Sequence, residues 1–586
     1  MRKSNYDKYP LIKINNNPKE VKSGWEKICD EINHQIKQMP GDRYVLTFET
    51  YPGVKDVEIL SKLFAFIKID IFIITNDLYK SEVSLNEMCL ADITDDRVFG
   101  YMTRLKIEDF FDSKRLQNAR NTIEETKKGV ILIYGCGASV IPPRSDLFIY
   151  ADMARWEIQQ RMRKGEVANL GTNDFQLDPV RKYKRAYFVD WRVADRLKRN
   201  TFDNWDYIID SNTPESPVMI SAKIYKESLQ NAVTRPFRLV PFFDPGPWGG
   251  QWMKEVCDLD KTVENYAWCF DCVPEENSIQ FDYQGIVFES PAINLVFFQP
   301  KELLGERVYA RFGAEFPIRF DFLDTVDGGN LSLQVHPTTE YIREHFGMFY
   351  TQDESYYMLD AREDASVFLG VKTGIDPKEM MDDLKAAQNG GPDFDASKYI
   401  ARWPAKKHDH FLIPAGTVHC SGTNCMVLEI SATPYIFTFK LWDWGRKGMD
   451  GLPRPIHIDH GEKVIQWDRT DEWVQRELIN QIQEVSDNGN IKEEITGLHD
   501  FEFIETVRHW FTEKVTHETQ GSVHVLNLVE GEEAIVESPD GAFEPFHIHY
   551  AETFIVPAAV GSYSVRPMDK NATKPLATIR ASIKKQ

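Results

Sequence analysis

The sequence predicts a multidomain α+β protein: an N-terminal α/β domain followed by two β-barrel domains with helical insertions. Three observations carry this reading. A chain of 586 residues exceeds what one hydrophobic core usually fills. From Lys19 onward helix-like and strand-like segments alternate, whereas from Ser278 short strands of alternating polarity follow one another between turns. Between these regions, TRPFRLVPFFDPGPW concentrates proline and glycine around Val233 to Pro247 and marks a linker. The expected domains are 1–235, 236–470 and 471–586.

In the first domain the segment Trp25 to Met39 has helical spacing, RYVLTFETYPG reads as strand and turn, and IDIFIIT and GVILIYGCGAS read as buried strands. The alternation implies a doubly wound, mostly parallel sheet. SDLFIYADMARWEIQQRMRKGEV then gives a strand followed by an Arg-rich helix, and RAYFVDWRVADRLKR and WDYIIDSNTP close the domain. This order resembles P-loop phosphotransferases of the uridine-kinase type, which implies a P-loop-kinase-like α/β domain. However, no G-x-x-x-x-G-K-[ST] occurs in the chain, so phosphoryl transfer is not expected. YGCGAS, Tyr134 to Ser139, is read as a tight strand-to-helix turn rather than a phosphate cradle. Arg155, Arg161, Arg163 and Lys164 are read as a solvated helix face rather than a nucleotide lid.

Composition excludes several functions. With 90 acidic against 69 basic residues the net charge is −21, which argues against sequence-independent binding to nucleic acid or anionic membrane. The amino terminus has no apolar signal run, and LFAFIKIDIFIIT is interrupted by Lys68 and Asp70, so a cytoplasmic protein is expected. Eight cysteines in so long a chain make no disulfide framework. Cys269 and Cys272 form a lone C-x-x-C, read as ordinary packing.

The chemistry concentrates in the second domain. In LSLQVHP, alternation along a strand places Gln334 and His336 on one face. Glu354 opens the apolar strand ESYYMLD, and His419 follows the Pro414–Gly416 turn in FLIPAGTVHC. This layout is that of a cupin, and the segments resemble the metal-binding motifs of type I mannose-6-phosphate isomerases. PGPWGGQWM, FPIRFDFLD and LWDWGR extend the resemblance over roughly the C-terminal 60% of the chain. It implies Gln334, His336, Glu354 and His419 as ligands of zinc, or of another divalent transition metal, since two imidazoles, a carboxylate and an amide suit several. It also implies a sugar-phosphate substrate and aldose–ketose isomerisation. Trp248, Ser332 and Arg446 would bind substrate, with Lys440 and Glu429 catalytic.

A helix is expected over the insertion DPKEMMDDLKAAQNGG and another over DEWVQRELINQIQEV. In the last domain ETFIVPAAVGSY echoes HFLIPAGTVHC, with Ser562 where His419 stands, so a second barrel without metal is expected. His547 and His549 form an H-x-H too close to that turn to complete a site. The chain also departs from the resemblance. Gln352 replaces a lysine, and Lys440, after ISATPYIFT, stands where an arginine is usual, keeping charge but not the planar fork. A non-catalytic sugar-phosphate sensor is therefore the alternative.

Overall fold

The computed structural model describes the chain except residues 1–3, 16–19, 214, 433–436, 448–455, 498, 570–572 and 586. Two compact units emerge, each assembled from separated segments: residues 11–231 with 278–298, and residues 1–10 with 232–277 and 299–586.

The first is an α/β unit around a seven-stranded sheet. Arg43–Thr50 lies at its centre, parallel to Gly129–Gly135 on one side and to Leu147–Asp152 on the other. Ile71–Ile74 extends one flank and Tyr207–Asp210 the other, both parallel. Val218–Ser221 and Lys22–Ser23 add antiparallel strands at one edge. The central strands are near-continuous apolar runs because both faces are buried, and their parallel pairing requires helical crossovers such as Asp56–Phe66 and Ser113–Glu125. The hairpin Ser278–Tyr283 and Ile286–Pro291 pairs with Leu11–Lys13 in a small separate sheet.

The second unit contains two β units of related design. In the first, a six-stranded sheet includes His410–Ile413, Asp353–Ala361, Cys425–Ala432 and Arg319–Asp324 in that order. It faces a five-stranded sheet in which His419–Ser421 lies between Ser366–Val371 and Leu333–Val335, with Phe439–Trp442 beyond. In the second, the order Thr553–Val556, His524–Glu530, Leu576–Ile583, Ile504–Phe511 repeats the core of the six-stranded sheet. Its facing sheet runs Val515–Glu518, Ser562–Pro567, Glu533–Glu537, Phe546–His549.

The helical insertion forms as its sequence predicts: Pro377–Gln388 is a helix, with the Asp376 side chain accepting from the Lys378 N–H at its start. The other predicted helix is shorter than its pattern. It ends at Glu477, and Gln483–Asp487 instead pairs with Ile491–Gly497. Asn480, at φ 50°, turns the chain between them, so strand pairing overrides helical periodicity there. Among the described residues no helix is long and apolar enough to cross a membrane.

Candidate metal centre

The ligands meet between the facing sheets of the first β unit. Gln334 lies directly opposite His419 across an antiparallel pair, so both side chains point to the same face. Glu354 comes from the opposing sheet, where it pairs with Ile413 and Ser431. His336, Glu354 and His419 are all buried, and their ligand atoms lie within 4.8 Å of one another. Among the described residues they are the one group of three or more such side chains that gathers this tightly.

The distances suit a cation. His336 Nε2 is 3.1 Å from Glu354 Oε2, His419 Nε2 is 2.9 Å from Glu354 Oε1, and the Gln334 amide is 3.2 Å from His419 Nε2. Bonds of about 2.1 Å to one ion put ligand atoms about 3.0 to 3.4 Å apart. His336 Nε2 and Glu354 Oε1 are also buried without a well-formed hydrogen bond, the condition a shared ion relieves. A half-turn of the Gln334 amide presents its oxygen as the fourth ligand.

Both imidazoles are oriented from behind. His336 Nδ1 lies 3.1 Å from the carbonyl of Phe437, and His419 Nδ1 lies 2.9 Å from that of Thr417. Each Nδ1–H is thereby committed to backbone, leaving Nε2 for the centre. Burial works against charge on Glu354, but His336 and His419 hold its carboxyl well below the usual range. Gln352 donates to Glu354 Oε2 at 2.8 Å, so a neutral amide orients this carboxylate. Sequence reasoning marked Gln352 only as a departure; its separation of two along a strand was the available signal.

Lys440 is the cross-strand partner of Gln334 and half-buried. Glu429 is buried opposite Asp321 and Tyr356. Burial above all, then the charges of Glu354 and Asp321, pushes its carboxyl well above the usual range, and burial likewise pushes Asp321 up to about 8. Ser332 is buried and donates to Asp443 at 2.6 Å, while Arg446 pairs with the same carboxylate at 2.8 Å. These three therefore form one chain of contacts. Trp248 is buried edge-on to Trp268, with ring centroids 4.7 Å apart. Cys269 and Cys272 are buried free thiols on one strand. In the second β unit His547 is exposed, whereas His549 contacts Glu552 at 3.0 Å.

The α/β unit presents a filled crevice where open parallel sheets commonly bind ligands, beyond the carboxyl ends of the strands. The Glu49 carboxylate accepts from the N–H groups of Gly137 at 2.5 Å and Ser139 at 2.8 Å. The donors that would cradle a phosphate are thus taken by an internal carboxyl, which burial pushes up to about 7. Lys198 bonds Asp152 at 2.8 and 2.9 Å, with Asn294 alongside. The reading of the Arg-rich helix as wholly solvated is corrected here. Arg155 and Arg161 are buried, Arg155 on Asp195 at 2.6 Å and Arg161 on Glu157 and the carbonyls of Ser211 and Asn212. Arg163 and Lys164 remain exposed. Burial is tolerated because each guanidinium meets anionic or carbonyl oxygens, of which Asp195, Ser211 and Asn212 come from distant parts of the chain.

Residues 24–234 match a family described as a domain of unknown function, DUF8485. The chain is 28% identical over 221 residues to the mannose-6-phosphate isomerase of Streptococcus mutans, 37% of this chain and 64% of that protein. It is 26% identical over 237 residues to mannose-6-phosphate isomerase ManA of Bacillus subtilis, 40% of this chain and 69% of that protein. The chain thus spans about two thirds of the length of these curated relatives. Among solved structures, a mannose 6-phosphate isomerase from Bacillus subtilis is 17% identical with a TM-score of 0.47, covering 59% of this chain and 99% of that one. A zinc-bound mannose 6-phosphate isomerase is 13% identical with a TM-score of 0.46, covering 60% of this chain and 100% of that one.

Proposed function

We propose that this chain is a metal-dependent aldose–ketose isomerase of the cupin type, interconverting mannose 6-phosphate and fructose 6-phosphate. The observation that carries the reading is the convergence of His336, Glu354, His419 and Gln334 on one buried point with their outer atoms already committed. The curated relatives that the chain matches, mannose-6-phosphate isomerases, support the substrate.

A divalent ion held there, zinc first among candidates, would supply positive charge that polarises the sugar's oxygens. The chain's own residues do the rest. Isomerisation carries a proton from C2 of the aldose to C1, and a hydroxyl proton from the oxygen on C2 to that on C1, through an enediol. We assign the carbon-to-carbon transfer to Glu429, which lies beside Glu354, and the steadying of negative charge on enediolate or phosphate to Lys440. Ser332, Asp443 and Arg446 act together, so Arg446 reaches substrate only with Asp443 attached.

One observation favours a second reading, a sensor that binds a sugar phosphate without turning it over. Burial, then the charges of Glu354 and Asp321, pushes the Glu429 carboxyl well above its usual range, and a carboxyl that ionises less readily is a weaker candidate for the base. Assay of the full chain with mannose 6-phosphate and fructose 6-phosphate decides between them. The isomerase reading requires turnover that chelation removes and zinc restores. Binding without turnover leaves the sensor, and neither binding nor turnover sinks both.

A further inference from the structure

Behind His419 lies a residue that sequence motifs do not mark. Arg469 belongs to the turn between the helices Ile458–Val464 and Asp471–Glu477, and it is buried. Its Nη1 lies 2.8 Å from the Pro414 carbonyl, 2.6 Å from the Ala415 carbonyl and 2.6 Å from the Thr417 hydroxyl. All three belong to the turn that delivers His419, and the Thr417 carbonyl is the group that orients the His419 ring.

The same turn is held from two more sides. The Gln466 N–H donates to the Gly416 carbonyl, and the Gly416 N–H donates to the His336 carbonyl, each at 2.9 Å. Gly416, at φ +89°, admits no side chain here: a Cβ would lie 2.7 Å from Gln466 and 3.0 Å from the Val464 carbonyl. The turn therefore joins the strands of both histidines, and Arg469 closes it. The guanidinium also lies 5.5 Å from the ring centre of Trp473 and 5.6 Å from that of Phe501, which fixes its plane.

A guanidinium is costly to bury, and here it donates to two carbonyls and a hydroxyl of a single turn. We propose that Arg469 is the positioning residue of the metal centre: it clamps Pro414 to Thr417 so that the Thr417 carbonyl sets the His419 ring, and thereby sets the affinity for the ion. Phe501, beside the second β unit, contributes to that clamp through the face of the guanidinium. The inference deepens the metal-centre reading and rests on it.

The test uses the full chain freed of metal and titrated with Co2+, followed by its visible absorption, with circular dichroism as the check on folding. Arg469→Met should weaken Co2+ binding by about ten- to a hundredfold, the usual cost of losing a residue that orients a ligand. At saturation it should also alter the absorption spectrum, because the ring angle changes; a purely structural role would not do so. Arg469→Lys should restore part of the affinity. Thr417→Val removes the clamped hydroxyl and should weaken binding, whereas Thr417→Ser should not. A folded Arg469→Met with unchanged affinity and spectrum overturns the proposal. Should that variant not fold, Thr417→Val binding like the unmodified chain overturns it instead. If the unmodified chain takes up no more Co2+ than a variant lacking His336 and His419, the metal centre itself falls, and this inference with it.

Discussion

The two β units place paired imidazoles inside related sheets and surround them oppositely. In the first, the rings of His336 and His419 lie 4.9 Å apart and Glu354 reaches both. In the second, the rings of His509 and His517 lie 4.7 Å apart, and His524 and Tyr563 complete the polar patch. The strand positions correspond: Glu354 faces Ile413, and His524 faces Val556 on the matching neighbour. What differs is the charge at the middle. Burial acts against charge on His336, but Glu354 overrides it and holds the ring above its usual range. Burial, then His509 and Arg580, holds His517 well below that range. The first pair thus has a carboxylate between its rings, the arrangement a cation requires, whereas in the second burial holds His517 below its usual range.

The largest expected effect removes the first centre altogether. His336→Ala with His419→Ala should take metal content from about one ion per chain to none and abolish isomerisation. Full metal by elemental analysis in this double variant would mean that the second unit, or another place, holds the ion.

Next comes the charge facing Gln334. Lys440→Ala should lower turnover by roughly a hundredfold or more, with metal content unchanged, and Lys440→Arg should retain or raise it. Unchanged kcat/KM for mannose 6-phosphate in Lys440→Ala would remove Lys440 from the mechanism.

A smaller effect is expected at Gln352. Losing its hydrogen bond to Glu354 should weaken metal affinity by about tenfold while the fold persists. Equal Co2+ affinity in Gln352→Ala and the unmodified chain would make the contact incidental.

The smallest test belongs to the second unit. His517 and His524 are held below the usual imidazole range, first by burial, so the folded chain binds fewer protons than the unfolded one at mildly acid pH. Their contribution is present above an unfolded pKa of about 6.5 and is lost as pH falls below it. The urea midpoint should therefore drop from about pH 7 to about pH 5, and His517→Phe should flatten part of that drop. An identical pH slope in the variant would refute the assignment.

The candidate site was legible in short motifs because strand alternation and the proline–glycine turn set side-chain direction locally. Gln334 and His336 share a face through their spacing of two, and His419 follows its turn at a fixed distance. The helix at Pro377–Gln388 was legible for the same reason, since its Asp-Pro start and Gly-Gly end are neighbours in sequence. Contacts across long chain separations were not. Arg469 meets a turn more than fifty residues earlier, Arg155 meets Asp195 forty residues on, and Glu49 enters a cradle eighty-eight residues away. Nor did local pattern foresee that Gln483–Asp487 would leave its helix for a strand, because its partner Ile491–Gly497 supplies the hydrogen bonds. The sequence alone therefore determined which residue types face which way along each element. Tertiary structure decided which buried charges meet, because a guanidinium or carboxylate is held inside only by partners that folding brings together.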